Sequence, residues 1–227
     1  MRFDKYSPSP DGAAMPPAPR AREGAPSPAS LAEEALRSQA TILEMIASGA
    51  PLAVTLAQLI ALIEAQMPDA LCSILLLDDD GVHMRHGAAP NLSKKYVAAI
   101  DGLPIGPTVG SCGTAMYFGR PVVVSDIATD PLWKDYRALA LPCGLRACWS
   151  TPIVSADGKM LGAFANYYRE VRSPEIEDTR LIDLAVHIAA IAIERKRVDA
   201  KLRANEKRFR DYAEIASDWF WETGPDH

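Results

Sequence analysis

After Pro174 the chain carries no glycine or proline until Gly224, and this stretch predicts a helix of more than 30 residues. Steps of three and four along it pick out Leu181, Leu184, Ile188, Ile191, Arg195, Val198, Leu202, Asn205 and Phe209, and seven of these nine are apolar. A stripe of that period is the seam of a coiled coil. From 181 to 193 apolar residues also occur on other sides, which fits a helix packed on its own domain equally well. Beyond Arg195 only the seam stays apolar among Lys, Arg and Glu. The second part is therefore expected to project and pair with another copy of the chain, through Leu181, Leu184, Ile188, Ile191, Val198 and Leu202, with an N-terminal helix beside it.

The preceding residues alternate between short elements. Residues 1–29 are rich in Pro, Ala and Ser and cannot bury enough surface to offset the entropy of ordering, so they read as a disordered leader. Ser30 and Glu33 fit a capping box at the start of a helix within 30–50, which Gly49 and Pro51 end. A second helix places Leu52, Leu56, Leu59, Ile60 and Ile63 on one stripe. A hairpin follows, from an apolar run at 70–77 through Asp78, Asp79, Asp80 and Gly81 to Val82–His86. Then come a helix near 92–100, a Gly/Pro-rich loop over 101–110, a short helix that Ser111 could cap, and a strand at 121–125. Asp130 with Pro131 marks another short helix. Strands at 146–155 and 159–168 are joined by a turn at Ala156–Gly158.

Charge and apolar patterning exclude several classes. A net charge of -5 without a basic stretch does not suit a nucleic-acid grip. No apolar run approaches the roughly 20 residues that span a bilayer, and no signal-peptide core is present, so a cytoplasmic location is expected. Cys72, Cys112, Cys143 and Cys148 form no CxxC pair and are expected to be reduced. No zinc ligand set converges in the pattern. His83 and His86 fall on opposite faces of a strand, and no His has a carboxylate at a spacing suited to acid–base work. No catalytic residue is assigned.

Four stretches resemble the GAF modules of bacterial sensory proteins: Ile105–Ala115 (IGPTVGSCGTA), Gly119–Trp133 (GRPVVVSDIATDPLW), Gly144–Ile153 (GLRACWSTPI) and Gly158–Tyr168 (GKMLGAFANYY). The resemblance covers residues 51–173. It implies an α+β fold, with an antiparallel sheet that has helices on one face and a loop- and helix-covered pocket on the other, followed by the long C-terminal coiled-coil helix over 174–207. The tail Arg208–Glu222 (RFRDYAEIASDWFWE) looks like the start of a PAS domain, a helix turning into a strand at Trp219–Trp221, cut short at His227. Such arrays imply signal transduction: a small ligand or state is sensed and relayed through a dimeric helix. The expected output domain is a histidine kinase of a two-component system, or a diguanylate cyclase or phosphodiesterase acting on cyclic-di-GMP. A ligand-free dimerisation module is the alternative. A free methionine sulfoxide reductase is a further one, because Val109–Gly113 resembles part of that family's cysteine motif, although its His-Ile-Ala-Cys-Asp string is missing.

Candidate pocket residues follow from position. Cys112 starts a short helix, whose partial positive charge would favour a thiolate. Asp126 flanks a turn, where it could cap or contact a ligand. Trp133 and Tyr136, three apart, could pack over a ligand or roof the sheet. Alternation lets only one of Cys148 and Trp149 face the pocket, and Trp149 is counted with the candidates. Phe164, Asn166 and Tyr168 share a face opposite Leu161, Ala163 and Ala165. The small residues suit helix packing, so the Phe164 face is expected to line the pocket. No residue pattern names the ligand or a cofactor.

Overall fold

The computed structural model describes residues 28–67 and 69–220. Most of the expected leader, and residues 221–227 at the end of the PAS-like tail, lie outside the described residues. Helix α1 (Pro28–Ser48) begins ahead of Ser30, so the expected capping box is not its start. Glu33 instead pairs with Arg37 one turn on. The helix ends where Gly49 takes φ 74°, with Gly49 N–H on Ile46 and Ala50 N–H on Met45, the paired bonds of a left-handed helix stop.

Helix α2 (Leu52–Gln66) buries Leu56, Leu59, Ile60 and Ile63. Strands β1 (Leu71–Leu77) and β2 (Met84–Ala88) form the hairpin. Two short helices follow, α3 (Lys94–Ile100) and α4 (Gly110–Phe118), then strand β3 (Val122–Val124). A 3-10 turn at Pro131–Trp133, helix α5 (Arg137–Ala140) and a second 3-10 turn at Leu141–Cys143 lead into β4 (Ala147–Val154) and β5 (Met160–Tyr168). Helix α6 (Ile176–Phe220) is the last described element. It is one unbroken helix through Trp219 and Phe220, where a strand was expected.

The five strands form one antiparallel sheet in the order β2-β1-β5-β4-β3. Gly162 permits the β1–β5 pairing, because a Cβ there would collide with the carbonyl oxygen of Leu75. One face of the sheet packs on α1, α2 and α6 through Ile42, Leu59, Ile63, Phe164, Ile182 and Ile193. The other face packs under α3, α4 and the 126–145 segment through Leu75, Tyr96, Ile127, Trp133, Cys148 and Tyr167. The fold is thus the expected α+β sheet with a long helix behind it and a loop-and-helix cover in front.

Helix α6 has two parts with different surroundings. Ala185, Ile188, Ala189 and Ile193 are buried in the domain's own core, and Leu181 and Leu184 lean on it. Ile188, expected in a dimer seam, is only 2% exposed. Its side of the helix is already filled by the chain's own core. The Arg197 guanidinium then donates to the Leu77 carbonyl at 2.9 Å and ties α6 to the end of β1. Farther along, Val198, Leu202 and Phe209 stand exposed, as does Ile191 before them. Among the described residues, no helix is long and apolar enough to cross a membrane.

Candidate functional site

A cavity lies between the sheet and its cover, walled by Leu75, Met84, Tyr96, Ile100, Val109, Cys112, Trp133, Tyr136 and Tyr167. It offers about 30 Å³ to the centre of a water molecule. Roughly 10–15 Å³ on that measure holds one water, so the space takes about two. The walls are almost wholly apolar, and the lining residues with polar side-chain atoms are Ser111, Cys112, Trp133 and the three tyrosines.

The start of α4 organises these polar groups. Gly110 takes φ 53° and lets the helix begin against the Trp133 ring, 3.7 Å from where a Cβ would stand. Ser111 was expected to cap this helix, but Val109 is the capping residue and makes no side-chain cap. Ser111 Oγ donates instead to the Cys148 carbonyl at 3.0 Å and accepts the Trp133 indole N–H at 3.0 Å. One hydroxyl therefore joins α4, β4 and the 3-10 turn of the cover. All three residues are buried, so these bonds are sheltered from water.

Cys112, the next residue, has its Sγ 3.7 Å from the Tyr167 hydroxyl. Hydrogen bonding from the Cys148 thiol, opposed by burial and aided by Ser150 and Tyr167, holds the Cys112 thiol below its ordinary range. Burial and the neighbouring Cys112 push Cys148 well up. Burial likewise raises Tyr167, and the edge of its ring meets Tyr96 at a centroid distance of 5.7 Å. Cys72 lies on the opposite face, where burial raises its thiol. The two thiols on this face of the sheet are thus shifted in opposite directions.

Of the eight sequence candidates, Cys112, Trp133 and Tyr136 line the cavity. Trp149, Phe164, Asn166 and Tyr168 point to the other face. Trp149, Phe164 and Tyr168 join the core beneath the long helices, and Asn166 Nδ2 meets the sulfurs of Met67 and Cys72. The expectation that small residues face the helices is reversed. Helices packed on a sheet stand far enough off to need large side chains between the layers, whereas Ala163 and Ala165 leave room for α4 and the cavity. Asp126 is not on the cavity; its carboxylate accepts the Ala128 N–H at 3.1 Å and pairs with Arg146 at 3.1 Å. Asp130 caps the 3-10 turn through Leu132 N–H, as expected. Sequence reading missed Tyr167, Tyr96, Ser111 and the partnership of Cys112 with Cys148. The available signal was Ala163, Ala165 and Tyr167 on one face, two small residues beside a large one, which is the profile of a cavity floor. Among the described residues, no group of three or more His, Cys, Asp and Glu side chains could hold a metal ion.

Comparison with known proteins places this geometry in context. The chain is 38% identical over 195 residues to the methyl sulfide methyltransferase-associated sensor of Methanosarcina acetivorans; the match covers 86% of this chain and about a fifth of that protein. Its fold is similar to that of the free methionine-R-sulfoxide reductase of Neisseria meningitidis (TM-score 0.57, 17% identity, 75% of this chain and 92% of the other). It is equally similar to the GAF domain of a phosphoenolpyruvate-protein phosphotransferase from Coxiella burnetii (TM-score 0.57, 21% identity, 74% of this chain and 98% of the other). The family model of the GAF domain matches residues 49–194, so the sheet, its cover, the cavity and the packed half of α6 make this chain a member of the GAF domain family.

Proposed function

We propose that this chain is a sensory GAF module that converts a change at the cavity into a change in the projecting half of α6. The observation that carries this reading is the division of α6. Its first part is core of the domain, on the sheet face opposite the cavity, and its second part leaves the domain with Val198, Leu202 and Phe209 exposed in a heptad stripe. An apolar stripe on a projecting helix is a pairing surface, so the working unit is a homodimer along α6, with exposed Leu36 and Leu43 of α1 beside it. The relay ends in a segment that reads as the entry to a PAS domain. Its output would be a histidine kinase or an enzyme of cyclic-di-GMP metabolism, and a relative named as a sensor supports that direction. Ligand or state must favour one of two dimer arrangements for any signal to pass.

Sedimentation equilibrium tests the relay unit. The full chain should self-associate, and a chain ended after Arg195 should do so at least tenfold more weakly. An unchanged monomer–dimer equilibrium sinks the proposal. The cavity's small volume favours a second reading, a module that pairs without holding an organic ligand. Native mass spectrometry of protein from its own host separates the two by the presence or absence of a bound mass. The same small volume argues against methionine sulfoxide as a substrate, because a whole amino acid does not fit in space for about two waters.

A further inference from the structure

Two thiols belong to one cluster beneath the cavity, and they are not equivalent: Cys112 Sγ is 3.7 Å from the Tyr167 hydroxyl, Tyr167 is the β5 partner of Cys148, and Ser111 beside Cys112 donates to the Cys148 carbonyl at 3.0 Å. Cys112 lines the cavity from the first turn of α4, while Cys148 on β4 is fully buried behind it. Cys112 is one of the residues that wall the cavity, and Cys148 is not. The groups around Cys112 Sγ are hydrogen-bond donors. The Tyr167 hydroxyl is at 3.7 Å, and hydrogen bonding from the Cys148 thiol holds the Cys112 thiol below its ordinary range. Ser150 is 1% exposed, and its Oγ has no hydrogen-bond partner among the described residues. A buried hydroxyl without a partner is costly.

We propose that Cys112 and Cys148 are a redox switch that hydrogen peroxide closes into a disulfide, with Cys112 reacting first. The size of the cavity selects the oxidant class: space for about two waters admits a two-oxygen hydroperoxide and excludes bulky ones. In the first step the Cys112 thiolate attacks one peroxide oxygen. An S–O bond forms, the O–O bond breaks, and the leaving hydroxide takes a proton to depart as water. In the second step the Cys148 sulfur attacks the Cys112 sulfenic acid. The S–S bond forms, the S–O bond breaks, and the hydroxide leaves as a second water with the Cys148 proton. Two thiols lose two electrons and the peroxide gains them. A disulfide holds its sulfurs about 2 Å apart, closer than two thiols in contact, so closure draws α4 toward β4 at the Ser111 junction. This inference rests on the sensing reading above, since it names the state the module would report.

The test uses the full chain, reduced and then exposed to stoichiometric hydrogen peroxide. Peptide mapping without reductant should find Cys112 joined to Cys148, Cys72 free, and both cavity thiols restored by dithiothreitol. Cys148→Ser should hold Cys112 as a sulfenic acid that dimedone traps, and Cys143→Ser should leave the Cys112–Cys148 bond unchanged. In wild-type protein, Cys112 should be alkylated on the order of fivefold to tenfold faster than an ordinary thiol at neutral pH. Its pH profile should move up in Tyr167→Phe. Free Cys112 and Cys148 after peroxide, or Cys112 joined to Cys143, overturns the proposal. The alkylation profile needs no variant that must fold: an ordinary thiol profile at Cys112 also overturns it. Disulfide mapping reads the thiols alone and sedimentation reads α6, so failure of one is distinguishable from failure of the other.

Discussion

Trp149 donates its indole N–H to the Arg172 carbonyl at 3.1 Å, and the Arg172 guanidinium lies over the Trp149 and Tyr168 rings. Trp149 is the β4 neighbour of Cys148, and the two side chains point to opposite faces of the sheet. Arg172 in turn pairs with Asp178 in the first turn of α6 at 3.3 Å, and Asp178 accepts the Glu175 N–H at 2.9 Å. A displacement of β4 at the cavity therefore meets the start of the long helix through Trp149, its hydrogen bond to Arg172 and the Arg172–Asp178 ion pair. Trp149, Arg172 and Asp178 thus form a contiguous physical link between the sheet and α6.

Trp149→Phe keeps most of the packing and removes the bond to Arg172. Stability should fall by about 1 kcal/mol from the hydrogen bond, and more if the Arg172 stacking is disturbed. Urea denaturation with an unchanged slope would report this loss, and a midpoint equal to wild type would show that the indole N–H contributes nothing.

Ser111→Ala strips one hydroxyl from between two buried partners, the Trp133 indole and the Cys148 carbonyl. Leaving a buried donor and acceptor unpaired should cost roughly 1–3 kcal/mol. Trp133 emission should change at the same time, because its indole N–H loses its acceptor. Equal stability and equal emission would show that the junction does not hold the cover.

Gly162→Ala places a methyl group against the Leu75 carbonyl at the end of the β1–β5 ladder, where Gly162 pairs with Leu76. Backbone cannot yield there without parting the strands, so the loss should be on the order of 3 kcal/mol or more. Thermal unfolding by circular dichroism is the measurement, and a midpoint equal to wild type would show that the two strands accommodate the methyl group.

Asp126 supplies a pH dependence with a definite sign. The Ala128 N–H, then Arg146, hold its carboxyl below the usual 3.8. A group whose pKa is depressed on folding adds stability above its unfolded value and loses it as pH falls through the folded value. The wild-type melting temperature should therefore drop as pH falls from about 5 toward 2. Asp126→Asn should flatten that limb while changing the neutral-pH profile little. Parallel profiles for the two proteins would remove Asp126 from the acid response.

Leu202→Glu tests the projecting seam without shortening the chain. Leu202 is 55% exposed and touches no core, so the substitution should leave the melting temperature of the domain within about 0.5 kcal/mol equivalent. Self-association should weaken severalfold. Intact association would place the pairing surface elsewhere.

Much of the fold was legible because it depends on local rules. The Gly49 helix stop, the turn at Gly81, the Asp130 cap and the unbroken run after Pro174 each follow from the conformations those residues allow or forbid. The site was less legible. Strand alternation separates Cys148 from Trp149 and Tyr167 from Tyr168, but it cannot say which of two apolar faces meets the long helices. Both faces are buried here, so the usual contrast of apolar inside and polar outside is absent.

By itself the sequence determined the order of the elements, the position of the turns and the existence of one long helix with an apolar stripe, since each is set by backbone freedom and side-chain period. Only the tertiary structure decided which residues meet. It buried Ile188 in the chain's own core and left Val198 and Leu202 outside, and it turned Phe164 away from the cavity and Tyr167 into it. It also brought Cys112 from a helix against Cys148 from a strand. The physical reason is that spacing along a chain fixes the face a residue shares with its near neighbours, whereas contact across layers depends on how packed layers fill the space between them.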